Sequence, residues 1–202
     1  MTGAGLTRAV WQGFTVRRRV TGALVGLGVS GLMGCVARPC VQSARVPTID
    51  GSAGVGAAAI DSFSGEYRYL SNFWLAAVTY EGKRYPSVEH AYQAAKTLDV
   101  GERARIAGLA TASEAKRAGR GLRVRVDWEQ VKLGVMEQCV RDKFLNHADL
   151  GAKLLATGEA ELVEGNDWGD RFWGVCEGRG ENHLGKILMK VRSELRRGKG
   201  GG

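Results

Sequence analysis

From Ile60 onward, apolar and polar positions recur with two periods, and the switches between them mark the elements. Val78-Thr79-Tyr80 and Lys83-Arg84-Tyr85 flank Glu81-Gly82, which predicts a hairpin from Val78 to Tyr85 turning at those two residues. Ser87 to Lys96 reads as a helix, because Pro86 cannot continue a helix backwards and Ser87 offers a capping hydroxyl. Along it Glu89, Gln93 and Lys96 fall at i, i+4 and i+7, in one stripe. Val88, Ala91, Tyr92 and Ala95 are assigned to the opposite, buried face. The pattern therefore predicts a carboxylate, an amide and an ammonium on one exposed edge of an apolar helix.

A short helix is expected near Glu102–Ala107, and Thr111 with Glu114 forms a capping-box pattern that opens another, closed by Gly119. Asp127 is the expected cap of the longest helix, with Gln130 three residues on and Val131, Val135, Cys139 and Val140 as the buried face. Residues 148–157 read as helix, 161–163 as a short strand and 165–182 as a polar, Gly-rich loop. The last helix is expected from about His183 to Arg196, with Leu184, Ile187, Leu188, Val191 and Leu195 inward. The fold class is α+β: a helix-rich domain of ordinary size with a small β component.

Residues 1–59 follow neither period. Arg17-Arg18-Arg19 precedes a glycine-diluted apolar run ending in Leu32-Met33-Gly34-Cys35, which has the form of a signal with a lipoprotein box. The alternative readings are a disordered extension or a start assigned too far upstream. The expected division is thus 1–59 as extension, 60–196 as the folded domain and 197–202 as a flexible basic, Gly-rich tail. Localisation follows the same choice: cytoplasmic, or a lipid-anchored envelope protein held through Cys35.

The net charge of +8 suggests nucleic acid until it is located. Residues 1–59 carry +5 and the tail Arg196, Arg197 and Lys199 carries +3, while residues 60–195 hold twenty basic and twenty acidic side chains. A basic groove along a phosphate backbone is not required by a neutral body. Cys35, Cys40, Cys139 and Cys176 form no CxxC pair, and His90, His147 and His183 sit in no ligand cluster. No metal and no cofactor are expected.

Three segments carry chemistry. One is the Glu89 helix. The second runs from Arg120 through Arg125 to Trp128, two cations and an indole at a helix start, where anions are favoured. The third is the loop from Asn166 to Asn182, with Asp170, Trp173 and several glycines. Each has a purely structural alternative: Trp128 and Trp173 as core anchors, Asp170 and Asn182 as caps, Arg120 and Arg125 as surface charges.

The ordered set of short stretches resembles the YbiA-like family, also called NADAR. The stretches are Leu70-Ser71-Asn72-Phe73, Pro86-Ser87-Val88-Glu89-His90, Gln93-Ala94-Ala95-Lys96, Arg125-Val126-Asp127-Trp128, Leu155-Ala156-Thr157-Gly158 and Leu162-Val163-Glu164. Asp170-Arg171-Phe172-Trp173-Gly174, Gly180 through Gly185, Leu188-Met189 and Arg192 follow, so the resemblance covers nearly all of residues 60–195 and none of 1–59.

The resemblance implies a YbiA-like domain and an N-glycosidase cleaving the bond between ribose 5-phosphate and the nitrogen of early riboflavin-pathway intermediates. It implies Glu89 as the catalytic carboxylate with Asp170 beside it. Trp128 and Trp173 are then pocket walls, and Asn72, Lys96 and Asn182 polar contacts, alongside Arg120 and Arg125 as candidate anion contacts. The expected partner is a small phosphoribosyl substrate. Nucleic acid enters only under an alternative, removal of ADP-ribose from modified guanine, and a non-catalytic module binding ADP-ribose-like ligands is a third reading. No stable membrane partner is expected unless Cys35 is lipidated.

Overall fold

The computed structural model describes residues 58–199. The expectations for residues 1–57, including Cys35, lie outside the described residues. A 3-10 turn (Gly65–Leu70) leads into an antiparallel hairpin, β1 (Val78–Tyr80) and β2 (Lys83–Tyr85). Glu81 and Gly82 both take positive φ, 46° and 73°, as a two-residue turn with the strands' twist requires. Glycine takes that conformation freely, and the Glu81 carboxylate is in turn held by Arg103.

Helix α1 (Val88–Ala95) follows at the expected place, with the Ser87 hydroxyl accepting from the His90 N–H. The expectation of an exposed edge is overturned: every residue of α1 is buried, Glu89 at 3% exposure and Gln93 at 4%. The cause is its surroundings, since α2 (Val100–Ala107), α3 (Ala112–Gly119), α4 (Trp128–Asn146) and the hairpin all pack on it. Ala91, Ala94 and Ala95 keep its girth small enough for them to close in.

The Thr111–Glu114 capping box opens α3 with both reciprocal bonds made. Asp127 stands at the N-cap position of α4 but makes no capping bond, because Arg125 takes both its oxygens at 2.6 and 2.8 Å. Beyond α4 lie α5 (Ala148–Ala156) and α6 (His183–Lys199), with Leu184, Ile187, Leu188 and Val191 buried against the core. Helix α6 runs into the segment expected as tail, and its last turns are tied by Arg196 to Glu159 and to the Gly158 carbonyl.

The strand expected at 161–163 is reduced to a single parallel bridge between Leu162 and Ile60. The long loop contains its own short parallel pair, β3 (Gly165–Asn166) and β4 (Val175–Cys176). Cys139 and Cys176 are free thiols and both are buried. Among the described residues no helix is long and apolar enough to cross a membrane.

Candidate active site

A cavity of about 880 Å³ opens between the 3-10 turn, α1, α3 and the loop from Glu164 to Trp173. That volume lies within the range of sites for small organic ligands. Glu89, Tyr92, Gln93 and Lys96 face it from α1. The sequence pattern places Tyr92 on the opposite face. Three residues along a helix, however, bring a side chain back to within 60° of the first, so Glu89 and Tyr92 share an edge.

Glu89 is held from two sides. Asn72 Nδ2 donates to its Oε2 at 2.5 Å, Gln93 Nε2 donates to its Oε1 at 2.8 Å, and its own N–H donates to the Asn72 carbonyl at 3.0 Å. Burial raises its pKa, opposed by the Gln93 bond and by the charges of Lys116 and Lys96, and Asp170 adds to the rise. Asn72 is itself placed by Lys143. That buried ammonium donates to the carbonyls of Tyr69 at 2.6 Å and Ser71 at 2.9 Å, pinning the chain just before it.

The loop is braced internally. Asn166 exchanges hydrogen bonds with the Asp170 backbone at 2.7 and 3.0 Å, and Asp170 Oδ1 accepts from the N–H groups of Phe172 and Trp173 at 3.1 and 2.9 Å. This directs Trp173 edge-on to Tyr92, with ring centroids 5.4 Å apart. Gly174 is needed behind it, since a Cβ there would lie 2.2 Å from the Glu164 carbonyl.

Asn72, Glu89, Lys96, Arg120, Asp170 and Trp173 thus surround one cavity. Three other expected contacts do not line it. Trp128 is a core residue at 7% exposure, its ring 5.0 Å from that of Tyr92. Arg125 is engaged by Asp127. Asn182 is buried at positive φ, where its side chain accepts from the Glu164 N–H and donates to the Leu162 carbonyl.

The cavity also has walls that the sequence reading did not single out. Ser113, Lys116 and Arg117 of α3 line it at i, i+3 and i+4, and the expected Arg120 continues the row at i+7 just past the helix end, a spacing legible from the sequence alone. With Arg68 and Lys96 they share the cavity with the carboxylates of Glu89, Glu164 and Asp170. Among the described residues none of these cations is in an ion pair. Trp168, 63% exposed, stands at the rim. Its position three residues after Gly165, in a loop closed only in three dimensions, left no spacing signal. Among the described residues no group of three or more His, Cys, Asp or Glu is placed to hold a metal ion.

The NADAR domain family matches residues 61–196. N-glycosidase YbiA of Shigella boydii serotype 4 (strain Sb227) is 41% identical over 137 residues, covering 66% of this chain and 85% of that protein. Riboflavin biosynthesis protein VVA0006 of Vibrio vulnificus (strain YJ016) is 42% identical over 130 residues, which is 63% of this chain and 35% of the longer relative. The NMR structure of the E. coli protein YbiA superposes with a TM-score of 0.66 at 38% identity, covering 72% of this chain and 89% of that one. The α+β architecture is shared with it, and the chain belongs to the NADAR domain family.

Proposed function

We propose that this protein is an N-glycosidase that hydrolyses the C–N bond between ribose 5-phosphate and the nitrogen of early riboflavin-pathway intermediates. The observation that carries the reading is the two-amide cradle of Glu89 inside a cavity that Lys116, Arg117 and Arg120 also line. Breaking a glycosidic bond builds positive charge on the sugar, and a carboxylate fixed near C1 stabilises that charge without reorganising. Amide donors on both oxygens favour the ionised form and fix its direction. The α3 cations offer forked and point-charge donors to a 5-phosphate, so that the sugar lies with C1 toward Glu89. The indoles of Trp173 and Trp168 supply flat surfaces for a leaving heterocycle.

The names of the relatives support the same chemistry, since two of them are called N-glycosidase and riboflavin biosynthesis protein. Release of ribose 5-phosphate from the aminopyrimidine intermediates by the purified chain is the expected result. Glu89→Gln lowers kcat by about 10³ or more while ribose 5-phosphate still binds. Tight binding without turnover in the wild type makes the chain a binding module instead. The number of cations on the cavity wall favours one second reading, hydrolysis of ADP-ribose from modified guanine, because a diphosphate would engage more of them. Turnover of that substrate, with none of the phosphoribosyl amines, decides for it.

A further inference from the structure

Glu164 has no role in the mechanism above, yet it lines the same cavity as Glu89 and Asp170. Its backbone is fixed by both ends: its N–H donates to Asn182 Oδ1 at 3.1 Å and its carbonyl accepts the Val175 N–H at 2.8 Å. Its Oε2 is buried and has no hydrogen-bond partner among the described residues. A carboxylate anion left in that state is costly, whereas the neutral acid is far less so and keeps a proton available.

The three carboxyls of the cavity therefore differ in what donates to them. Glu89 receives an amide N–H on each oxygen, and Asp170 Oδ1 receives two backbone N–H groups. Glu164 Oε2 receives none.

We propose that Glu164 is the proton donor of the reaction, passing its carboxyl proton to the nitrogen that leaves C1 while Glu89 receives a proton from the attacking water. This rests on the N-glycosidase reading. The C1–N bond breaks with its electron pair going to nitrogen, which takes the Glu164 proton. The water oxygen bonds to C1, and its surplus proton goes to the Glu89 carboxylate. Amine and ribose 5-phosphate leave, and exchange with solvent returns Glu164 to the acid and Glu89 to the anion.

Asn182 and Gly174 act as positioning residues, the first through the Glu164 N–H and the second by leaving room, since a Cβ there would lie 2.9 Å from Oε2. The charges facing Glu164 come from three elements. Burial pushes its pKa up to about 7, Asp170 of the loop and Glu89 of α1 add to the rise, and Lys116 of α3 opposes it. A group that must be protonated to work loses activity as pH rises through its pKa, so the rate falls above about pH 7.

The test uses the full chain with an aminopyrimidine ribosyl 5-phosphate as substrate. It compares Glu164→Gln and Glu164→Asp with wild type for kcat and KM from about pH 5 to about pH 9. Calorimetry with ribose 5-phosphate checks the binding site, and infrared spectra of chain labelled with ¹³C-glutamate follow the carboxyls. The expected result is a loss in kcat of about 10² to 10³ in Glu164→Gln, with ribose 5-phosphate affinity kept within about threefold. Its falling limb near neutral pH disappears, Glu164→Asp recovers part of the rate, and a protonated-carboxyl band titrating near pH 7 is absent from Glu164→Gln.

A kcat within about threefold of wild type, or an infrared spectrum with Glu164 fully ionised by about pH 6, overturns the proposal. If Glu164→Gln does not fold, Glu164→Asp, which also removes the labelled carboxyl at 164, assigns the band. A wild type that releases no ribose 5-phosphate overturns the glycosidase reading and the step together. An active wild type with an unaffected Glu164→Gln overturns the step alone.

Discussion

Lys143 sits in the core as a pin whose two acceptors are backbone carbonyls, so even the neutral amine, with two N–H bonds, satisfies them. Burial lowers its pKa to about 7, against about 10.4 in an unfolded chain. Between those values the unfolded chain binds the extra proton, so stability rises with pH there. Below about pH 7 both states are protonated and the full cost of the buried charge is felt. From about pH 7 to about pH 9 the gain is about 2 kcal/mol. Above that the raised thiol of Cys139 and raised phenols of Tyr69 and Tyr85 oppose it, since the folded state then keeps the protons. Urea titrations at several pH values are expected to show this rise in wild type and a flat line in Lys143→Met; an equal slope in both would assign it to other groups. Asn72→Ala, one residue beyond the carbonyls that Lys143 holds, removes a donor from Glu89 and raises the Glu89 pKa further. The rising limb of the rate profile then moves to higher pH.

The contact between α1 and α3 is built from small residues. Ala112, Ala115 and Gly119 of α3 are buried, and a Cβ on Gly119 would lie 1.8 Å from Gln93 Oε1 and 2.6 Å from its Cδ. Gln93 is itself buried and its Nε2 is bonded to Glu89, so turning its amide away from a Cβ at position 119 breaks that bond. Gly119→Ala is therefore expected to destabilise the fold by about 1 to 3 kcal/mol, by overpacking. It also dislodges the amide that holds Glu89 Oε1, lowering kcat more than it changes KM. A thermal scan with steady-state kinetics checks both, and an unaltered kcat would show that Gln93 does not orient Glu89. The sequence predicts Gly119 as the close of the helix; it is the last helical residue, with Arg120 as the C-cap. Its closeness to Gln93 has no trace in spacing, because it depends on how near two helix axes come. The hairpin turn, the Ser87 cap and the Thr111–Glu114 box were legible because each is settled within four residues of chain.

The cavity mixes aromatic walls with charges of both signs, the carboxylates of Glu89, Glu164 and Asp170 and the cations Lys116, Arg117 and Arg120. The formal charge of residues 60–195 is zero, so this gathering of charges arises from placement and not from composition. A phosphorylated sugar is oriented by such a field before it makes contact, and the attraction weakens with salt. The double variant Lys116→Ala, Arg120→Ala is expected to raise KM for the phosphorylated substrate by about tenfold or more. The dephosphorylated nucleoside should show no such difference. An equal change for both substrates would mean that the cations support the fold or the sugar and do not read phosphate.

Local chemistry along the chain was enough to establish the order of the helices, the Ser87 and Thr111 caps and the hairpin, since short-range sterics and hydrogen bonding need only a few neighbouring residues. The candidacy of Glu89, Asp170 and Trp173 draws also on the family resemblance. Asp170 and Trp173, some eighty residues along the chain, line the same cavity as Glu89, whereas Trp128 packs on Tyr92 and does not line it. Glu164 ends beside them with an oxygen that nothing satisfies. Those outcomes belong to the folded chain, because burial and pKa depend on which distant segments close over a side chain, a property no local pattern carries.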